Sequence, residues 1–204
     1  MNLFFDLDGT LTDSSNRHFK VYSEIVLSLG GKPMTKKDYW CLIRSKTDKS
    51  LILKKSSLGN INAEAYLKKF KTVIEKTENL AYEKLINKQI LKTLKKFKQK
   101  HKLFLITLRS NDNAAYDQIN NLGLSSYFDK IIVCPKSKAE AIKPYLDDKC
   151  ALIGDTELDI QTAKSLGIKS IAVSSGFRNT KYLKRFKPDY ILSSIADLEK
   201  VIKD

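Results

Sequence analysis

The chain has 204 residues, 42% of them hydrophobic, and a formal net charge of +14 from 37 basic and 23 acidic side chains. That length buries a sizeable core and fits one domain with a modest insert. No apolar run approaches the roughly 20 residues that cross a bilayer, and no basic leader with a small-residue cleavage site opens the chain, so neither a membrane partner nor secretion is expected.

In chain order, the apolar run "NLFF" leads into an acidic loop, "DLDGTLTDS" (6–14). From about residue 15 to about 82 no segment reads as a strand. "RHFKVYSEIVLSLG", "KKDYWCLIRS", "DKSLILKKSSLG" and "AEAYLKKFKTVIEKTENL" read as helices, with turns at Gly30-Gly31-Lys32-Pro33 and Gly59-Asn60. Strands and helices then alternate. Amphipathic stretches at 87–100, 111–123, 138–146 and 157–167 separate short apolar runs at 102–107, 130–134, 150–154, 169–173 and 189–192. Gly123 and Gly167 stand where helices stop. Near-continuous apolar strands alternating with helices predict a parallel sheet covered on both faces. The expected fold is therefore α/β: a doubly wound, Rossmann-like core over residues 1–14 and 83–204, with an inserted α-helical domain over 15–82 placed to cover the acidic loop.

Cys41, Cys134 and Cys150 are widely spaced, which fits reduced thiols in a cytoplasmic protein better than a disulfide framework or a zinc site. The basic excess is nearly all lysine, with arginine only at Arg17, Arg44, Arg109, Arg178 and Arg185. A solvated surface that draws anionic substrates is expected, not a dedicated nucleic-acid site.

Ligands of open parallel sheets bind beyond the carboxyl ends of the strands. After the first strand come Asp6, Asp8, Gly9 and Thr10. After "KLFLI" come Thr107, Leu108, Arg109 and Ser110. After "KIIVC" comes "PKSK", with Lys136 and Lys138, and after "CALI" come Gly154, Asp155, Thr156, Glu157, Leu158 and Asp159. This inventory suits phosphoryl transfer. Phosphate-monoester hydrolysis needs rate enhancements approaching about 10²¹, so metal, nucleophile, cationic clamp and positioning must combine. A magnesium ion asks for one or two carboxylates and keeps several waters. A carboxylate can itself attack, giving an aspartyl-phosphate. Asp6 and Asp8, at i and i+2 of an extended segment, project toward one side, so one could attack while the other handles the leaving-group proton. Each piece alone has a plainer account. The two acids fit a simple loop, Thr156 with Asp159 fits a helix-capping box, and Thr107 fits an ordinary strand threonine. Their joint occurrence, at four strand ends in order, favours the site.

"FDLDGTLTDS", "ITLRS", a lysine opening the following helix and "GDTELDIQTA" resemble the four motifs of the haloacid dehalogenase-like hydrolases, with similarity running from residue 3 to "FKPDYILSSIADL" (186–198). Asp8 points to the phosphatase branch, and the helical insert resembles the cap of phosphoglycolate phosphatase-like and phosphomutase-like members. The resemblance implies Asp6 as nucleophile and magnesium ligand, and Asp8 as general acid/base whose backbone carbonyl also meets the metal. It implies Thr107 and a lysine as phosphoryl-binding groups, Asp155 as a metal ligand, and Asp159 as supporting the metal directly or through water. Arg109 and Ser110 fall in the same phosphoryl-binding segment. Lys138 is preferred as the motif lysine because it opens a helix capped by Ser137; Lys136 is the alternative. In the insert, Arg44, Lys46 and Thr47 near a helix end could meet the leaving group, Arg44 foremost. His18 could face substrate or pack, and Tyr39 and Trp40 read as packing residues.

The implied function is a magnesium-dependent phosphatase of a small phosphomonoester, acting as a monomer or homodimer. The alternatives are a sugar phosphomutase using the same intermediate and a nucleic-acid end phosphatase.

Overall fold

The computed structural model describes residues 1–133 and 136–203. Cys134 and Pro135, at the end of the predicted 130–134 strand, lie outside the described residues, as does Asp204.

The chain divides into two compact units. The first comprises the described residues within Met1–Asp13 and Lys84–Asp204, the second Ser14–Glu83. Strand β1 (Asn2–Phe5) is buried along its whole length. A short strand β2 (Thr12–Asp13) follows it. The second unit then supplies helices α1 (Ser15–Ser28), α2 (Lys36–Arg44), α3 (Lys49–Lys55), α4 (Ala63–Ile74) and α5 (Thr77–Leu80). Return to the first unit is marked by β3 (Lys84–Leu85), which pairs antiparallel with β2 through Thr12 opposite Leu85 and Asp13 opposite Lys84. That ribbon was not anticipated, because two residues are too few to show an alternating pattern.

Helix α6 (Gln89–Lys98), β4 (Lys102–Thr107), α7 (Asp112–Asn121), β5 (Lys130–Val133), α8 (Lys138–Ile142), β6 (Cys150–Gly154), α9 (Glu157–Ser165), β7 (Lys169–Val173), α10 (Thr180–Leu183) and β8 (Tyr190–Leu192) complete the core. The six-stranded sheet has the order β5-β4-β1-β6-β7-β8, with every neighbouring pair parallel. It is the predicted doubly wound α/β architecture.

Because successive strand residues point to opposite faces, β1 feeds two cores. Leu3 and Phe5 join Leu105, Ile153 and helix residues Ile90 and Leu94 on one side. Phe4 joins Phe104, Ile106, Leu152 and Ile142 on the other. Strand order reverses about β1, so the ends of β1, β4 and β6 open on the crevice where sheets of this kind bind ligands.

The second unit is built around aromatic packing. The Tyr22 and Tyr39 rings stack with centroids 4.0 Å apart, and the Tyr22 hydroxyl pairs with Ser56 at 2.7 Å while accepting from the Met34 N–H at 2.9 Å. Burial and the neighbouring tyrosine hydroxyls push the Tyr39 phenol well above its ordinary range. His18 sits against Phe70 and Trp40 at 5.3 and 6.1 Å, and Arg17 pairs with Glu83 at 2.9 Å, both side chains buried. Trp40 is therefore in an aromatic cluster and Tyr39 in the core of this unit. Arg44 is the last residue of α2 and is half-buried.

Candidate active site

Strand β1 ends where its apolar residues end. The turn that follows is held by Gly9 N–H donating to the Thr12 carbonyl at 2.9 Å and Leu11 N–H donating to the Leu7 carbonyl at 2.9 Å. Gly9 takes φ +82°, and a Cβ there would lie 2.3 Å from Asp155 Oδ2. Only glycine meets both demands. The turn sets Asp6 at the head of the sheet, 7% exposed, beside Asp155 at the end of β6 and Asp159 in the first turn of α9.

Carboxylate oxygens of Asp6, Asp155 and Asp159 lie within 4.8 Å of one another, all three residues buried. Lys138 reaches them from the first residue of α8, its Nζ 2.6 Å from Asp6 Oδ1 and 2.5 Å from Asp159 Oδ1. Ser137 caps that helix, accepting from the Glu140 N–H at 3.3 Å. Lys136 is exposed. The Thr10 hydroxyl lies 3.2 Å from Asp6 Oδ2 and 3.4 Å from Asp155 Oδ1, bridging two strands.

Asp159 shows that the plain reading and the functional one are compatible. Its Oδ2 accepts from the Thr156 N–H at 3.1 Å and hydroxyl at 2.6 Å, as in a capping box, while Oδ1 takes Lys138.

The electrostatics follow from burial. Desolvation pushes the Asp6 carboxyl up to about 7; Lys138 pulls against this, and the Asp159 and Asp8 charges add to it. Burial, with the charges of Asp6 and Asp159, raises Asp155 well above the carboxylate range. For Lys138 burial works downward, but the Asp159 and Asp6 carboxylates override it and the ammonium is raised. Three buried acids sharing one lysine would, once ionised, carry more negative charge than the lysine balances. Their donors are all hard oxygens, which fits a magnesium ion in chemistry.

Asp8 stands outside that group of three and takes a different partner. Its Oδ2 and Oδ1 accept from Arg109 Nε at 2.8 Å and Nη2 at 2.5 Å, a two-pronged pair in which Arg109 is 2% exposed. The two acids expected to project together are thus divided between a lysine and an arginine. Thr107 is buried at the end of β4. Ser110 is exposed just before Asn111, which caps α7 by accepting from the Ala114 N–H at 3.1 Å.

One wall was missed from sequence. Beyond β7, Ser175 Oγ donates to the Gly9 carbonyl at 3.1 Å, and the Phe177 N–H donates to Asp155 Oδ2 at 2.5 Å. Arg178 ties this loop to α9, with Nε 2.6 Å and Nη2 3.2 Å from the Glu157 carboxylate. The stretch "SSGFR" stands at the carboxyl end of the 169–173 strand, where a parallel sheet places ligand-binding groups just as at the other four strand ends.

A buried, lysine-bridged carboxylate cluster at the carboxyl rim of a doubly wound sheet marks an α/β enzyme. The chain belongs to the haloacid dehalogenase-like hydrolases, whose family model matches residues 3–173. It is 24% identical to the pyrophosphatase PpaX of Halalkalibacterium halodurans over 98% of this chain and 95% of that protein. It is 26% identical to the phosphoglycolate phosphatase of Pseudomonas fluorescens over 96% of this chain and 77% of that one. Among solved structures, a haloacid dehalogenase-like family hydrolase from Streptococcus pneumoniae superposes with a TM-score of 0.79 at 22% identity, covering 99% of this chain and 98% of that chain. Among the described residues no helix is long and apolar enough to cross a membrane.

Proposed function

We propose that the protein is a magnesium-dependent phosphatase of a small phosphomonoester. The observation that carries this reading is the convergence of Asp6, Asp155 and Asp159 with Lys138 at the head of β1. The matched phosphoglycolate phosphatase supports it, since its name gives a small phosphomonoester, and the matched pyrophosphatase supports phosphoryl hydrolysis more broadly.

In this reading an Asp6 carboxylate oxygen attacks phosphorus, and the bond from phosphorus to the leaving oxygen breaks. Asp8 gives the leaving oxygen its proton. Water then attacks phosphorus, passing a proton to Asp8 and freeing Asp6 and phosphate. Lys138 neutralises charge on Asp6 and on the phosphoryl group, and Thr107 donates to a phosphoryl oxygen. Magnesium, held by Asp6, Asp155, Asp159 and the Asp8 backbone carbonyl, would supply electrostatic stabilisation of the phosphoryl oxygens. Leaving-group selection is assigned to the helical unit as a cap, with Arg44 as the residue to substitute first. Cytoplasmic placement and a monomeric or homodimeric state belong to the same proposal.

Phosphate release across a panel of sugar, nucleoside and short-acid monophosphates, with and without magnesium, tests the reading. Magnesium-dependent release with a preference among esters is expected. Isomerised hexose phosphate without free phosphate would mean a phosphomutase instead. No turnover on any ester by folded, magnesium-saturated protein contradicts both.

The raised Asp6 carboxyl makes a second prediction. A carboxyl whose folded value lies above its unfolded one holds its proton more tightly in the folded state, so stability falls as pH rises from 3.8 to about 7. Magnesium favours the ionised form and offsets that loss. Its addition is therefore expected to raise the melting temperature more at about pH 8 than at about pH 5, as thermal melts at the two values would show. Equal gains at both would contradict it.

A further inference from the structure

We propose that Arg109 is a positioning residue, which holds the Asp8 carboxylate apart from the cluster of Asp6, Asp155 and Asp159 and so reserves it for proton transfer. This rests on the phosphatase reading and on Asp8 as its proton-transfer group.

The geometry is specific. Both Asp8 oxygens are engaged, by Nε at 2.8 Å and Nη2 at 2.5 Å, so the fork fixes the plane of the carboxylate as well as its location. The turn after β1 already fixes the Asp8 backbone, since Gly9 and Thr10 N–H groups donate to Thr12 and Leu7 carbonyls. What remains free is side-chain rotation, and the fork removes it. Asp8 lies two residues from Asp6, so an unrestrained carboxylate could join the three clustered acids and compete for their cation. Arg109 itself is 2% exposed and among the largest fully buried side chains. That placement suits an internal brace better than a group that gathers anionic substrate from solvent. Guanidinium stays protonated at every working pH, so the brace itself neither gives nor takes a proton during the reaction. Arg109 stands two residues after Thr107, so one loop would carry both a phosphoryl contact and the brace.

The test compares wild type, R109Q, R109K, D8N and D8N/R109Q on two substrates, with thermal melts on each protein. One substrate is p-nitrophenyl phosphate, whose leaving group departs without a proton. The other is the alkyl monoester that the wild type turns over best. On the alkyl ester, R109Q is expected to lose about 100-fold in kcat with KM within about threefold, and to lose less than about tenfold on p-nitrophenyl phosphate. R109K keeps the charge but not the fork and is expected not to restore kcat. In the D8N background, R109Q is expected to cost no more than about twofold further, because its route through Asp8 is already gone. Calorimetry gives a readout without turnover. With Asp8 released toward the cluster, R109Q is expected to bind magnesium about threefold or more tighter, and D8N/R109Q to bind it as D8N does.

A rise in KM at constant kcat, rescue by lysine, additive losses or unchanged magnesium affinity in R109Q overturns the assignment while leaving the phosphatase reading intact. Absence of wild-type turnover on every monoester overturns that reading and this role with it. R109Q strands the Asp8 charge and could unfold; the comparison of D8N with D8N/R109Q, where both charges are gone, then decides the matter.

Discussion

Asp6→Asn is expected to lower turnover by about 10⁵-fold or more, the size of loss seen when a nucleophile is removed from a cooperating set. The change is nearly isosteric, and an amide neither attacks phosphorus usefully nor brings negative charge to the metal cluster. Physical chemistry adds a second signature. Asp6 is 7% exposed and its carboxyl is pushed from 3.8 to about 7, so keeping it ionised at neutral pH costs on the order of 4 kcal/mol in the metal-free protein. Substitution relieves that cost and the repulsion from Asp155 and Asp159, at the expense of the Lys138 contact. The metal-free variant is therefore expected to melt higher than metal-free wild type above about pH 7, while gaining less from magnesium. A variant that is inactive and also less stable would point to a structural role for Asp6.

Gly176→Ala is expected to cost about 100-fold or more in kcat without touching a reacting group, as sub-ångström to one-ångström misplacement of catalytic groups does. A Cβ on residue 176 would lie 2.1 Å from Asp155 Oδ2, 2.4 Å from the Gly9 carbonyl oxygen and 2.5 Å from Gly9 Cα. Two of those atoms are backbone and cannot step aside, so either the 175–178 loop withdraws or Asp155 turns away. In both cases Asp155 loses the Phe177 N–H that now holds it at 2.5 Å. The expected measurable consequences are weaker magnesium binding by calorimetry together with the fall in kcat. Full activity in the alanine variant would show that this packing is not needed to set the metal ligands.

Where sequence and structure agree, the reason is local. The runs at 102–107, 150–154 and 169–173 are strands over those same residues, because each is apolar on both faces and bounded by turn-forming residues. Helix ends were also legible; α7 and α9 stop shortly before Gly123 and Gly167. Asp6, Asp155, Asp159 and Lys138 could be placed on one rim because strand ends in a parallel sheet converge whatever their separation in sequence, and the motif resemblance singled them out among the residues there. What could not be read depends on tertiary choice. Asp6 and Asp8 differ little as letters, yet one meets Lys138 from α8 and the other Arg109 from the loop after β4. Thr10 carries no signal beyond its place after the first strand, and only the approach of β6 to β1 makes it a bridge between Asp6 and Asp155. The β2–β3 ribbon joins segments far apart in the chain and too short to carry a pattern.

The central claim is that phosphoryl groups pass through Asp6. Single-turnover reaction with a ³²P-labelled form of the preferred ester, quenched in acid and mapped by peptide, tests it most directly. The account predicts label on the peptide containing Asp6, appearing before free phosphate, lost on treatment with hydroxylamine and absent in Asp6→Asn. Label on another residue, or free phosphate formed at the full rate by Asp6→Asn, would contradict it.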